Sequence, residues 1–368
     1  MCAMKNRVAN VGVIGCGAIS SAYFNAAKSF PNLKIVAVAD IRPEATEAAA
    51  EKYGYKAMSV AKLLADPQIE AVLNLTVPAA HAKMNERILK AGKHAYAEKP
   101  FALDRASGKR VMALAKKKKL QVGGAPDTFL GGAHQTCREL IDKDVIGKVT
   151  AGVALMLCHG PEAWHPNPSF YYLKGGGPLF DMGPYYITAL VNMLGPVKRV
   201  AAINNRQMDT RIAGSEKIKG KKLPVKTDTH HSAILQFASG TVVTLVTSFD
   251  VWKGDGAWCI QLHGTKGSLR VPDPNCFGNE IKICMAGENE WKPAPIVHAH
   301  TDNMRSIGLA DMCRAIHDKK TPARCGGELA FHVLDVMCSI EESSKAGKFI
   351  KVQSTCSRPA PLPRNGRL

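Results

Sequence analysis

No stretch of this 368-residue chain approaches the roughly 18 consecutive apolar residues that would cross a bilayer. Nor does the N-terminus carry an apolar leader region or a twin arginine. Met1 to Arg7 run straight into a strand-like segment, so the sequence reads as a cytoplasmic protein without a membrane partner. None of the 11 cysteines pairs with another as C-x-x-C, and no four have zinc-site spacing. In a reducing compartment they read as small buried hydrophobes. No internal repeat is visible. With 46% hydrophobic residues, 22% charged, 32 Gly and 21 Pro, collagen-like, mucin-like and wholly disordered chains are excluded. Acidic residues are the scarce class, 31 against 49 basic, for a net charge of +18. Some of that charge is local, in Lys116 to Lys119 and in Lys217, Lys219, Lys221 and Lys222. Without a helix-turn-helix pattern or a basic ribbon studded with aromatics, it reads as a solvated face that draws in anionic ligands, not as a nucleic-acid surface.

The length suggests two domains. In the first 125 residues two periods alternate. Apolar runs at Val8 to Ile14, Lys34 to Ala39, Ala71 to Leu75, His94 to Ala97 and Leu120 to Gly123 read as strands. Helix-period stretches lie between them, at Ala18 to Ser29, Pro43 to Tyr53, Ala79 to Ala91 and Asp104 to Lys118. Pro43 near a helix start, and Gly54 and Gly92 after helix ends, fit that punctuation. The expected fold is α/β, with an N-terminal doubly wound parallel sheet of Rossmann type. After residue 126 a helix (Ala133 to Lys143) and a strand (Val149 to Cys158) lead to a loop dense in Trp, His, Pro and Tyr. The run Gly175-Gly176-Gly177-Pro178 then opens a helix extending to about Leu194. Period-2 runs follow at Val197 to Asn205, Ser232 to Phe237, Thr241 to Phe249 and Trp258 to His263. Their turn-like connections predict a large open, mostly antiparallel sheet in a C-terminal α/β domain. Two helices, Asn303 to His317 (capped by Thr301 or Asp302) and Glu328 to Ala346, precede a Pro/Arg tail expected to be disordered. The domain expectation is 1–126, 127–352 and a tail at 353–368.

Gly15-Cys16-Gly17-Ala18-Ile19-Ser20 follows a strand and opens a helix. Gly15 permits a tight turn, and Gly17 lets a pyrophosphate approach backbone N–H groups at the positive end of the helix. Asp40 ends the second strand 20 residues after Ser20, where a carboxylate accepts from both ribose hydroxyls of NAD. Arg42 suits a 2′-phosphate, but Asp40 would repel one, so NAD is favoured over NADP. Glu98-Lys99-Pro100 lies just past a strand, at the carboxyl edge where ligands of such sheets bind. His81 reads either as a cofactor neighbour or as a plain helix-start residue. Asp127 reads either as a cleft residue or as part of a turn. Trp164 and His165 stand out in the aromatic loop as substrate contacts. His159, Glu162 and His165, or His298 with His300, could form a metal site, but hydride transfer needs none and no metal is expected.

These motifs together resemble the glucose–fructose oxidoreductase / inositol dehydrogenase / MocA oxidoreductase family. The resemblance rests on the glycine fingerprint, Asp40, Thr76-Val77-Pro78-x-x-His81, Glu98-Lys99-Pro100 and Asp181-x-Gly183-x-Tyr185, and covers nearly the whole chain. It implies an NAD(P)-dependent dehydrogenase or reductase of sugars, cyclitols and related polyols, with an open sheet that packs between subunits of a homo-oligomer. Gly15, Gly17, Ala18, Ile19, Asp40, Arg42, Thr76, Pro78, His81, Glu98 and Lys99 would then meet the cofactor. Lys99, Asp127, Trp164, His165, Asp181 and Tyr185 would meet the substrate. The family's D-x-G-x-H-x-x-D segment is altered here, with Tyr185 and Thr188 in place of histidine and aspartate. Tyrosine there is similar to the glucose–fructose oxidoreductase and dihydrodiol dehydrogenase branches. The implied chemistry has Lys99 and Tyr185 move the hydroxyl proton, with Asp181 holding the substrate or Lys99. Oxidation of a ring hydroxyl of a sugar, glycoside (C3 of a glucoside being one case) or cyclitol is the leading expectation. Reduction of a sugar ketone or anhydro-sugar, a redox-neutral NAD-dependent glycosidase and a non-catalytic cofactor-binding regulator are the rivals.

Overall fold

The computed structural model describes residues 7–318 and 321–368. The chain forms two compact units. The first comprises Met1–Gly131, Ala299–Leu334 and Leu362–Leu368; the second comprises Gly132–His298 and Asp335–Pro361. Two later segments, Ala299–Leu334 and Leu362–Leu368, thus return to the first unit.

In the first unit, strands β1 (Ala9–Ile14), β2 (Leu33–Ala39), β3 (Lys56–Ala57), β4 (Ala71–Asn74), β5 (His94–Ala97) and β6 (Val122–Gly124) form one sheet in the order β3-β2-β1-β4-β5-β6. Every neighbouring pair is parallel. Val11, Val13, Leu73, Tyr96 and Ala97 are buried, as expected of a parallel sheet covered on both faces. Helices α1 (Ser20–Ala27), α2 (Pro43–Tyr53), α3 (Val60–Ala65), α4 (His81–Lys90) and α5 (Arg105–Lys118) connect the strands. α2 starts on Pro43 and ends on left-handed Gly54 (φ 74°). The Asp104 side chain accepts from Ser107 N–H (2.7 Å) and caps α5. Lys116 to Lys119 are exposed at the other end of α5, where cations complement the helix dipole. That accounts for one of the two basic runs as a solvated face. β3 and α3 were not foreseen: two and six residues are too few for a period to register.

In the second unit α6 (Gly132–Asp142) precedes β7 (Val149–Leu157), and the glycine run opens α7 (Gly177–Asp181) and α8 (Gly183–Leu194). The single helix expected there is two. Pro184 lacks the N–H that would continue the first, so the chain breaks at Met182 and restarts. Asp181 therefore ends α7 and does not start a helix. Strands β8 (Val197–Asn205), β9 (Thr210–Ile212), β10 (Lys222–Pro224), β11 (His230–Phe237), β12 (Val242–Ser248), β13 (Cys259–Gly264), β14 (Gly267–Val271), β15 (Ile281–Met285), β16 (Lys292–Ala294) and β17 (Ile350–Lys351) complete the sheets. Nine form one sheet, β16-β15-β14-β13-β7-β12-β11-β8-β17, antiparallel throughout except for β7 beside β12. β9 and β10 pair separately as a small hairpin between β8 and β11.

Two helices close the chain, α9 (Ile307–His317) and α10 (Gly327–Ala346). α9 begins four residues later than expected, on Ser306 at φ 132° and not on Thr301 or Asp302. The tail is ordered. Cys356 and Leu362 are buried, Arg138 donates to Pro359 O, and Ala299 N–H donates to Arg364 O.

Candidate active site

The candidate dinucleotide site is built at the carboxyl edge of the parallel sheet of the first unit. Gly15 sits at φ 107°, and a Cβ there would lie 2.4 Å from Leu75 O, so only glycine closes this turn. A Cβ on Gly17 would meet nothing within 4 Å; the space it faces is open to a ligand. Gly17, Ala18 and Ile19 are exposed in an otherwise buried neighbourhood, and no side chain caps α1. This is the donor set a pyrophosphate needs. Asp40 accepts from Cys16 N–H (2.8 Å) and Arg42 N–H (2.9 Å). Burial raises its pKa, but these bonds and the Arg42 guanidinium outweigh burial and hold the carboxyl below its usual value. Arg42 is turned onto Asp40 (Nε–Oδ1 3.4 Å), which disfavours its reading as a 2′-phosphate ligand. Ile41 and Val77, 93% and 66% exposed, offer apolar surface at the same edge. Sequence reasoning passed over both, although an apolar residue directly after Asp40 was a usable signal. These features fit NAD.

Thr76 donates to Asn74 Oδ1 (2.7 Å), fixing the turn that leads into Pro78. Glu98 is buried and accepts from Tyr23 Oη (2.7 Å) and from Lys99 N–H (2.8 Å). The fingerprint helix α1, which carries Tyr23, is thereby tied to the loop that carries Lys99.

Two candidates are buried and hydrogen-bonded within the first unit. His81 is 1% exposed, its ring nitrogens 2.8 Å from Pro100 O and 2.8 Å from Thr76 O. Burial pushes its pKa below 6.5 despite these carbonyls. It braces the loop of Thr76 against that of Pro100. Asp127 is likewise 1% exposed. Its Oδ2 accepts from Ser306 N–H and Gly308 N–H (3.1 Å each), which sets the start of α9 and holds Ser306 in its unusual conformation. The partners lie 179 and 181 residues away, which is why this cap is not legible from the chain around Asp127.

In the second unit Asp181 is half-buried and Tyr185 is 6% exposed in the first turn of α8. Tyr186 points elsewhere, donating to Leu155 O (3.1 Å). Trp164 is 67% exposed and meets His165 edge-on at 5.4 Å; His165 in turn contacts Phe170 and Tyr171. Asn167 N–H donates to His165 Nδ1 (3.0 Å), so a neutral ring carries its proton on Nε2 and acts as a donor. Burial lowers its pKa from 6.5, with the Asp181 charge opposing.

A network around Arg211 was missed altogether. This β9 side chain is 3% exposed and donates to Glu162 Oε1 (3.1 Å), His159 O (3.2 Å), Phe249 O (2.9 Å) and Asp250 Oδ1. Tyr172 Oη donates to the other Glu162 oxygen, and Thr229 Oγ1 to Asp250 Oδ2 (2.8 Å). The small hairpin thus clamps the loop that bears Trp164 and His165. Glu162 is consumed by this network and not by a metal. His298 goes to Glu139 and His300 to Gly366 O. Among the described residues no three His, Cys, Asp or Glu side chains group as ion ligands.

The parallel sheet with its glycine turn and Asp40, followed by a second α/β unit in which Asp181 ends one helix and Tyr185 lies in the first turn of the next, has the build of a dinucleotide-dependent oxidoreductase. The comparisons make this specific. Residues 9–124 match the model of an oxidoreductase family with an NAD-binding Rossmann fold, and residues 134–270 match the GFO/IDH/MocA C-terminal domain. Inositol 2-dehydrogenase of Rhizobium meliloti (strain 1021) is 30% identical over 345 residues, 84% of this chain and 97% of that protein. Levoglucosan dehydrogenase of Pseudarthrobacter phenanthrenivorans is 24% identical over 71% of this chain and 72% of its own length. In fold, the chain is similar to an apo levoglucosan dehydrogenase structure, with TM-score 0.81 and 21% identity over 95% of this chain and 100% of that one. The chain belongs to the GFO/IDH/MocA oxidoreductase family and is an NAD-binding enzyme.

Proposed function

We propose that the enzyme transfers a hydride between NAD and a ring secondary hydroxyl of a sugar, glycoside or cyclitol, a glucoside C3 hydroxyl being one such position. The observation that carries this reading is Lys99, two residues past the end of β5 at the carboxyl edge of the NAD-binding sheet, its N–H fixed by buried Glu98. The names of the relatives, an inositol and a levoglucosan dehydrogenase, support polyol and sugar substrates. When bound, NAD supplies the hydride acceptor.

The protein's own groups handle the proton. The proposal takes Lys99 from the first unit and Asp181 and Tyr185 from the second. A phenol of ordinary pKa, about 10, is a poor base at neutral pH unless a neighbouring cation stabilises phenolate. Lys99 supplies that cation and shares the proton, and Asp181 orients a substrate hydroxyl. His165 suits the role of base less well, because its Nδ1 is occupied and its Nε2 carries the proton. The open face of the large sheet shows Ile203, Ile234 and Val242 to solvent at 76%, 44% and 39% exposure, which supports a homo-oligomer joined there. A screen of sugars, glycosides and cyclitols for NADH formation tests the function; formation with none of them would refute it.

A further inference from the structure

Trp252 is the most exposed large aromatic described, at 82%. It follows Asp250 in the loop after β12, and its indole is stacked on His159 with ring centres 3.3 Å apart and planes within 12°. His159 is itself held, since Arg211 donates to its carbonyl and lies 3.4 Å from its Nε2. A buried cation anchored by Glu162 and Asp250 therefore fixes a flat ring, and that ring backs a second one whose other face is left to water. The stack presents one flat aromatic face to water, backed by a ring that is itself held in place. It adjoins the loop that bears Trp164 and His165, because Arg211 joins His159, Glu162 and Asp250, and Val251 N–H donates to Cys158 O (3.1 Å).

We infer that the open face of Trp252 is a stacking subsite for a second sugar ring, so that the preferred substrate is a glycoside larger than a monosaccharide. This deepens the sugar-oxidoreductase reading and rests on it. The reacting ring must reach Tyr185, which is almost fully buried, whereas Trp252 stands well out in solvent. One ligand that uses both groups has a reacting ring inside and a further ring outside. The π-face of an indole is negative and attracts the polarised C–H bonds of a pyranose face. Trp164 and Phe170, 67% and 41% exposed, are further exposed aromatics on the loop that follows His159.

The test compares cellobiose and maltose with the methyl glucosides, and with an aryl glucoside as a third arm. The unmodified enzyme is expected to show a KM lower by about three- to tenfold for a disaccharide than for the matching methyl glucoside. Trp252→Ala should bring that ratio to near one, with the loss falling on KM, and Trp252→Phe should retain part of it. Being at the surface, Trp252 can be changed without loss of folding, which a thermal melt verifies. Calorimetric titration of the enzyme with its NAD bound repeats the comparison without requiring turnover. A sugar-oxidation reading that failed would show as absent NADH formation, while the titration still decides the subsite. An unchanged ratio in Trp252→Ala, no disaccharide binding, or an advantage confined to the aryl glucoside overturns the inference.

Discussion

Replacing Arg211 by methionine is the sharpest structural test, because so much of the second unit converges on one guanidinium. The side chain of Arg211 is 3% exposed and those of Glu162 and Asp250 are 5% and 19% exposed. Methionine fills much of the volume but leaves both carboxylates without their cation and the carbonyls of His159 and Phe249 without their donor. Removing one partner of a buried ion pair typically costs about 3–5 kcal/mol. For a unit of this size that corresponds to a fall in melting temperature on the order of 10 °C. Differential scanning calorimetry reads the loss, and it should fall on the transition of the second unit. The triple variant Arg211→Met, Glu162→Gln, Asp250→Asn removes the stranded charges and should recover a good part of the lost stability. A single variant within about 2 °C of the parent, or a triple variant no better than the single one, would refute the argument.

Other consequences follow from the same geometry. Burial holds His134 at a pKa of about 4 and His231 at about 3, against ordinary values of 6.5. The unfolded chain then binds these protons more readily, so stability is present above pH 6.5 and declines as pH falls toward 4 and then 3. Urea melts across that range should show it, and His134→Gln should flatten the upper part. With Asp40 ionised and Arg42 paired to it, binding titrations should favour NADH over NADPH, and Asp40→Ser should narrow the preference. Tighter NADPH binding by the unmodified enzyme would contradict this. Ile203→Lys with Ile234→Lys should shift light-scattering mass downward at micromolar concentration; a parent already monomeric would remove the basis for the oligomer.

Local chemistry made much of this molecule legible. Strand–helix alternation, Pro43, Gly54 and the Asp104 cap act within a turn or two, so the parallel sheet could be read residue by residue. The glycine turn is as readable, since Gly15 takes a positive φ against the Leu75 carbonyl, where no other residue fits. Where the sequence left a residue open or silent, the contacts that hold it are distant along the chain. Asp127 stood open between cleft and turn, and the N–H groups it accepts from belong to Ser306 and Gly308. His81 stood open between cofactor neighbour and helix start, and the carbonyl of Pro100 beside its ring is 19 residues away. Arg211 went unnoticed since its carboxylates are 49 and 39 residues distant, and an isolated arginine in a basic loop carries no signal of burial. The break between α7 and α8 was written in Gly183-Pro184 and was overlooked in favour of an unbroken apolar period. The ordered tail was missed because Pro and Arg content resembles disorder, while the buried Cys356 and Leu362 hold it in place.

The central claim is that Lys99 and Tyr185 act as one proton-transfer unit, and a double-mutant cycle on steady-state turnover addresses it directly. Lys99→Ala and Tyr185→Phe should each lower kcat by roughly 10²–10⁴, the usual range for losing general acid–base help. The double variant should lose little more than either alone, because groups acting together are not additive. NADH binding, followed by fluorescence, should survive in all three. Near-normal turnover by Tyr185→Phe, or losses that simply multiply in the double variant, would contradict the account.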